Sequence, residues 1–106
     1  MNKVSLSDNS GRWFDNDCAK EWHEAVMVAD DGTTVSMATG NSWEHETLYL
    51  TKSGSFVMHF VNDHNPTLAQ YAEWDQKRAV KWLLANGHNH DLVKLDLANE
   101  ESSFEM

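Results

Sequence analysis

The sequence has few of the features that stabilise a small domain covalently or direct a chain into a membrane. Cysteine occurs once in 106 residues, at Cys18, so no internal disulfide can form. The first ten residues lack the apolar segment of a secretory signal peptide, and no stretch approaches the roughly 20 apolar residues that span a bilayer. These absences predict a chain without membrane contact, in a reducing, cytoplasmic setting.

Basic residues are also scarce, since 8 lysines and arginines stand against 17 aspartates and glutamates, for a formal net charge of −9. Nucleic acid is a polyanion, so its binding normally depends on Lys and Arg contacts to phosphate. The composition therefore disfavours direct binding of DNA or RNA. An acidic surface suits a protein partner with a basic surface, because opposite potentials accelerate encounter. The alternative is that the acidity only maintains solubility.

Residue spacings typical of metal or catalytic sites are missing as well. The chain has no Cys pair and no His-x-x-x-His pattern, so we expect no metal and no cofactor. Cys18 and His23 lie near each other in sequence, but sequence proximity does not hold a nucleophile against its base. The sequence therefore predicts a protein that is not an enzyme.

The residues that are present predict one domain over residues 1–106, because 41% of them are hydrophobic and can form a core. The polar residues 1–10 and the acidic residues 98–106 are predicted to be flexible. Two hairpins are predicted from turn residues between apolar runs: Asp31-Gly32 within residues 25–38 and Ser53-Gly54 within residues 46–60. A two-residue turn in the first hairpin gives one shared face to Val26, Val28, Val35 and Met37.

A helix is predicted over residues 75–86, with Asp75 as its N-cap and Gly87 just after its end. Its buried stripe is predicted to consist of Ala79, Trp82, Leu83 and Asn86. Residues 68–74 alternate as in a strand, whereas residues 18–25 fit either a helical stripe or a strand, of which we favour the strand. The predicted fold class is α+β, a small antiparallel sheet (a meander of four to five strands) packed against one C-terminal α-helix.

The second hairpin has apolar residues on both faces of the sheet. A two-residue turn places on one face Leu48, Leu50, Val57 and Val61. It places on the other face Tyr49, Phe56, Met58 and Phe60. A single helix covers only one face, so the aromatic face is predicted either to meet another chain, most simply in a homodimer, or to be covered by the N-terminal segment.

Residues 38–54 carry the pattern Ala-Thr-Gly-x-x-Trp-Glu-His-Glu-x-Leu-Tyr-x-Thr-x-x-Gly. This pattern resembles a family of small phage, plasmid and bacterial proteins for which no activity is established. Further matching positions lie in and after the predicted helix, at Ala79, Trp82, Leu83, Asn86 and His88. Where the family has tryptophans after the second strand, this chain has FVNDHNP. The resemblance implies a shared fold and a mobile-element setting.

Two functions remain open at this point. The first is a non-enzymatic acidic interaction protein, such as an anti-CRISPR-like inhibitor of a host defence system, that docks on a basic protein surface. The second is a small-ligand-binding or enzymatic module with a pocket around Trp43, His45 and His64. The residues predicted to contact a partner are Asp30, Asp31, Trp43, Glu44, His45, Glu46, Tyr49, Phe56 and Phe60.

Overall fold

An antiparallel sheet of four strands forms the centre of the protein. The computed structural model describes residues 1–95 together with Leu97 and Glu105. The C-terminal segment predicted to be flexible, residues 98–106, therefore lies outside the described residues apart from Glu105. The strands are β1 (Lys3–Ser5), β2 (Trp13–Asp15), β3 (Lys20–His23), β4 (Val26–Val28), β5 (Thr34–Ser36), β6 (Glu44–Leu50), β7 (Phe56–Asn62) and β8 (Gln70–Trp74). The α-helices are α1 (Gln76–Ala85) and α2 (Asp91–Lys94).

The central sheet has the strand order β3-β6-β7-β8, while β1 pairs only with β2 and β4 only with β5 in the described part of the chain. This arrangement is the predicted α+β fold, with the strand reading of residues 18–25 confirmed by β3 and that of residues 68–74 by β8. Neither α-helix of the described residues is long and apolar enough to cross a membrane.

Helix α1 begins and ends where its capping residues predict. The Asp75 side chain accepts a hydrogen bond from the backbone N–H of Arg78 at 2.8 Å. Gly87 follows the helix with φ +81°, the left-handed conformation that glycine adopts without steric cost. The predicted stripe is buried against the sheet, and it consists of Ala79, Trp82, Leu83 and Asn86.

The predicted register of the second hairpin is wrong by one residue. Leu50 lies opposite Phe56 rather than Val57, because the loop has three residues and the N–H of Thr51 donates to the carbonyl of Ser55 at 2.9 Å. Gly54 takes φ +93° at the end of this loop, as in a turn followed by a bulge. Because side chains alternate between faces, the shift moves every residue of β7 to the opposite face.

The first hairpin has the same kind of turn and the same correction. Val28 pairs with Thr34, and the N–H of Ala29 donates to the carbonyl of Thr33 at 2.8 Å. Gly32 has φ +86°. Val28 therefore does not share a face with Val35, contrary to the prediction from a two-residue turn.

The core consists of two clusters, one on each face of the central sheet. The first cluster joins the sheet to the helices and contains Trp22, Leu48, Phe56, Met58, Ala79, Val80, Trp82, Leu83, Leu92 and Leu97. The second cluster contains Phe14, Tyr49 and Val57, with Val4, Leu6, Ala19 and Tyr71 packed around them. Tyr49 and Phe56 consequently lie on opposite faces, so the single aromatic face predicted for them is corrected.

The N-terminal segment covers the second face of the sheet, which was the alternative to a homodimer. Phe14 on β2 packs against Tyr49, with ring centroids 5.5 Å apart, and Val4 on β1 adjoins the same cluster. The N–H of Ser7 donates to the carbonyl of Tyr71 at 2.9 Å, which fixes the segment along β8. The face is thus covered within one chain.

Candidate functional site

The hairpin formed by β4 and β5 carries exposed apolar side chains that belong to neither core cluster. Val26, Met27 and Val28 are 57%, 51% and 69% exposed, and Met37 just beyond β5 is 54% exposed. No other strand pairs with this hairpin among the described residues. Because Val26 and Val28 alternate with Met27 along β4, both faces of the hairpin expose apolar side chains, and exposed apolar surface is typical of a protein contact site.

The tip of this hairpin is acidic. Asp30 and Asp31 are both exposed in the turn, where the Asp31 carboxylate accepts hydrogen bonds from the N–H and the hydroxyl of Thr33. These hydrogen bonds lower the pKa of Asp31, so it stays ionised at neutral pH. The hairpin therefore presents apolar strands with a negative tip, and its residues 25–38 contain no basic side chain.

Helix α1 holds the base of the hairpin through a buried side chain. The Oδ1 atom of Asn86 accepts a hydrogen bond from the N–H of Ala25 at 2.9 Å, and its Nδ2 donates to the carbonyl of Trp82 at 2.9 Å. At the other strand, the N–H of Met37 donates to the carbonyl of Ala25 at 2.8 Å. These hydrogen bonds thus fix the base of the hairpin to the C-terminal end of α1.

The stretch TGNSWEHE, residues 39–46, contains Trp43 and His45 of the predicted pocket and builds a turn in its first half. The Asn41 side-chain oxygen accepts hydrogen bonds from the N–H groups of Trp43 and Glu44, at 3.1 and 2.7 Å. The Asn41 amide nitrogen donates to the Glu44 carboxylate at 2.6 Å, and the Thr39 hydroxyl donates to the Glu44 carbonyl at 2.9 Å. Glu44 is therefore held inside this turn.

His45 lies between two carboxylates at the end of the central sheet. Its Nδ1 is 2.8 Å from Oε2 of Glu24, and its Nε2 is 3.2 Å from Oδ2 of Asp63. The other carboxylate oxygen of Glu24 accepts a hydrogen bond from the N–H of Glu46 at 2.6 Å. The hydrogen bond to Glu24, aided by Asp63 and opposed by burial, raises the pKa of His45. Both ring nitrogens of His45 are engaged in this arrangement.

The carboxylate of Glu46 is half-buried beside the helix. Its Oε1 accepts a hydrogen bond from Nε1 of Trp82 at 3.1 Å. Burial raises the pKa of Glu46, and the neighbouring carboxylates of Glu24 and Glu44 raise it further, against the hydrogen bond from Trp82 and the charge of Arg78. Glu46 therefore connects the sheet to α1 and is not a free surface charge.

The predicted contact residues are distributed over three environments. Only Asp30, Asp31 and Trp43 are exposed, and the Trp43 ring lies edge-on to the His64 ring with centroids 5.4 Å apart. Tyr49 and Phe56 are buried in the two core clusters. The four remaining side chains are intermediate in exposure, and they are Glu44, His45, Glu46 and Phe60.

Sequence reasoning missed the partners of His45 and the exposed hairpin strands. Glu24 and Asp63 lie 21 and 18 residues from His45, and no local pattern connects them. The hairpin did carry a signal, since three consecutive apolar residues in a short strand place at least one of them on each face. Among the described residues, no group of three or more His, Cys, Asp and Glu side chains is arranged to hold a metal ion.

The hydrogen bonds between His45 and two carboxylates predict a pH-dependent contribution to the free energy of unfolding. A histidine with a raised pKa contributes stability that is fully present below its unfolded pKa, about 6.5, and lost as pH rises through its folded pKa. In urea unfolding, we therefore expect His45→Gln to destabilise the protein more at pH 6 than at pH 8.5. In a Glu24→Gln background this pH dependence should shrink, whereas an equal cost of His45→Gln at both pH values would contradict the assignment.

Comparison with known proteins adds no assignment to this geometry. The resemblance of residues 38–54 to small phage, plasmid and bacterial proteins stays a prediction. No family model matches the chain, and no match is found among curated proteins or solved structures.

Proposed function

We propose that the chain is a non-enzymatic interaction protein that docks, through the β4–β5 hairpin, on a protein partner with a basic surface. The observation that carries this proposal is the exposure of Val26, Met27 and Val28 on a hairpin whose tip bears Asp30 and Asp31. Apolar strands offer contact area, and the acidic tip offers charge complementarity, which together suit an interface with an apolar centre and a polar rim.

The overall charge supports a basic partner over other occupants. With a net charge of −9, the chain repels nucleic acid and also a second copy of itself, whose hairpin tip is equally acidic. A homodimer through the hairpin is for this reason the weaker proposal. A cytoplasmic host-defence protein with a basic nucleic-acid-binding groove has the required surface, so inhibition of such a system is the activity we propose.

The side chains with nucleophilic or acid–base chemistry support a function without catalysis. Cys18 is exposed, and the hydrogen bond from its thiol to Asp15 raises its pKa, so the reactive thiolate is disfavoured. His45, the centre of the alternative pocket with Trp43 and His64, has both nitrogens occupied by carboxylates. The small-ligand or enzymatic module is accordingly the less supported function.

The test is an association experiment on the hairpin tip. Once affinity capture has supplied a partner, we expect Asp30→Asn with Asp31→Asn to slow association, and to slow it more at low salt, because charge steering acts over about a Debye length of 8–10 Å. Asparagine keeps an acceptor oxygen for the turn hydrogen bonds to Thr33. The measurement is the association rate at two salt concentrations.

A matched control removes the same number of charges elsewhere. Asp17→Asn with Glu105→Gln also removes two exposed carboxylates, both outside the hairpin. This control should change the association rate much less than the tip variant. Equal rates and equal salt dependence for the two variants would refute the acidic-tip proposal. A further variant, Met27→Ser with Val28→Ser, should raise the dissociation rate if the strands form the apolar part of the contact.

A further inference from the structure

A groove of about 270 Å³ lies between one side of α1 and the chain just after β5. Its walls are formed by Met37, Ala38, Trp74, Arg78, Lys81, Trp82, Ala85 and Asn86. The residues from α1 and its approach follow one another at helical spacing, so a single face of the helix forms one wall. The opposite wall belongs to the chain that leaves the exposed hairpin.

The interior of this groove is mostly apolar, because the side-chain polar atoms of Trp82 and Asn86 are already hydrogen-bonded. The indole N–H of Trp82 donates to Glu46, and both polar atoms of the Asn86 side chain are engaged with the backbone of Ala25 and Trp82. The other lining residues behind the cationic rim are Met37, Ala38, Trp74 and Ala85, whose side chains are largely apolar. Such a surface favours an apolar or aromatic group over a polar one.

The rim of the groove is cationic. Arg78 and Lys81 are exposed, and the Arg78 guanidinium lies 4.0 Å from the centroid of the Trp74 ring, stacked over it. Within residues 1–95, Leu97 and Glu105, no carboxylate lies at ion-pair distance from either cation. A planar guanidinium fixed on a ring and a nearby ammonium are well suited to pair with a carboxylate.

The size of the groove and the charge of the protein restrict the ligand further. Ligand pockets usually enclose about 300–1,000 Å³, so this groove accommodates a molecule of one or two rings. The net charge of −9 repels polyanions over the whole surface, whereas the two cations at the rim favour a monoanion against the opposing charge of the half-buried Glu46. We propose that this groove binds a small aromatic carboxylate, with its ring against Trp74 and Trp82 and its carboxylate on Arg78 and Lys81.

The test uses 1-naphthoate as the probe and 1-naphthalenemethanol as a neutral analogue of the same ring size. Binding is followed by NMR on the indole N–H signals of Trp74 and Trp82, which report position as well as affinity. We expect saturable binding of 1-naphthoate with a Kd of about 0.1–1 mM, as for other ligands of this size, and at least tenfold weaker binding of the alcohol.

A variant pair separates the groove from general attraction to cations. Arg78→Gln with Lys81→Gln should weaken 1-naphthoate binding about tenfold or more, because charge-assisted hydrogen bonds are lost. Lys77→Gln, on the same helix but not lining the groove, should change the Kd less than twofold. All three positions are exposed, so the fold is expected to persist in both variants, and the thermal melting curve checks this.

Equal affinity for the acid and the alcohol, or equal affinity of the double variant and wild type, would overturn the proposal. Shift changes confined to Val26, Met27 and Val28 would likewise overturn it, because they would assign the ring to the exposed hairpin. Met37 adjoins both the groove and the exposed hairpin, but Asp30 and Asp31 do not line the groove, so the tip variants and the groove variants test the two proposals separately.

Discussion

Replacing Phe14 by alanine is expected to lower the free energy of unfolding by about 3–5 kcal/mol. Phe14 is 6% exposed, and its ring lies 5.5 Å from that of Tyr49 and 6.1 Å from that of Tyr71. Its removal would leave a cavity between the N-terminal segment and the sheet. Urea unfolding followed by tryptophan fluorescence measures this loss.

The neighbouring residue provides a matched control. Trp13 is 47% exposed on the other side of β2, where Lys3 Nζ lies 4.7 Å from its ring centroid. Trp13→Ala should cost about 1 kcal/mol or less, since an exposed cation–π pair contributes roughly 0.5–1 kcal/mol. Similar small effects of Phe14→Ala and Trp13→Ala would contradict the conclusion that the N-terminal segment covers this face of the sheet. A midpoint that rises with protein concentration would instead indicate that a second copy covers this face.

The second large effect is expected at Trp82, which combines core packing with the hydrogen bond to Glu46. Trp82→Ala should destabilise the protein by about 3–5 kcal/mol from lost packing, with a further share from the unpaired carboxylate. Trp82→Phe keeps most of the ring and isolates the hydrogen bond, for an expected loss of about 1.5–3 kcal/mol. Both values are measured by urea unfolding at pH 7.

Two controls accompany the Trp82 variants. Trp43 is 42% exposed, so Trp43→Ala should cost about 1 kcal/mol or less. In a Glu46→Gln background, Trp82→Phe should cost less than in wild type, because a neutral amide tolerates the loss of its donor better than a half-buried carboxylate. The same cost in both backgrounds would mean that the Trp82–Glu46 hydrogen bond contributes nothing to stability.

The helix and most strands were predictable because their signals are local. Asp75 and Gly87 mark the two ends of α1, and the buried stripe between them repeats at helical spacing. The alternation in residues 68–74 similarly identified β8. These features depend on neighbours within a few residues, so they can be read before any tertiary contact is known.

The register of both hairpins was not predictable from the same kind of signal. Asp31-Gly32 and Ser53-Gly54 suit a two-residue turn, but a glycine with positive φ equally ends a three-residue loop with a bulge. Both loops take the longer form, and their glycines have φ +86° and φ +93°. Predicting the shorter loop leads to a large error, since a register shift of one residue exchanges the faces assigned to Phe56 and Val57.

The candidate site was partly predictable. The sequence drew attention to Trp43 and His45, yet the carboxylates that hold His45 come from Glu24 after β3 and Asp63 after β7. Their approach depends on β6 pairing with both neighbours at once, which is tertiary information. Exposure of the β4–β5 hairpin is likewise a property of the assembled fold, because an apolar strand normally predicts burial.

The free edges of the β4–β5 hairpin have a consequence for handling the protein in concentrated solution. β4 consists of three uncharged residues, Val26–Val28, and its outer edge pairs with no strand in the described part of the chain. Such an edge is a template for intermolecular sheet formation and aggregation. Colloidal repulsion from the net charge opposes this association, but it vanishes near the isoelectric point of about 4.9. Acidic buffers close to that value are therefore expected to precipitate the protein, whereas neutral buffers of low ionic strength keep its copies apart.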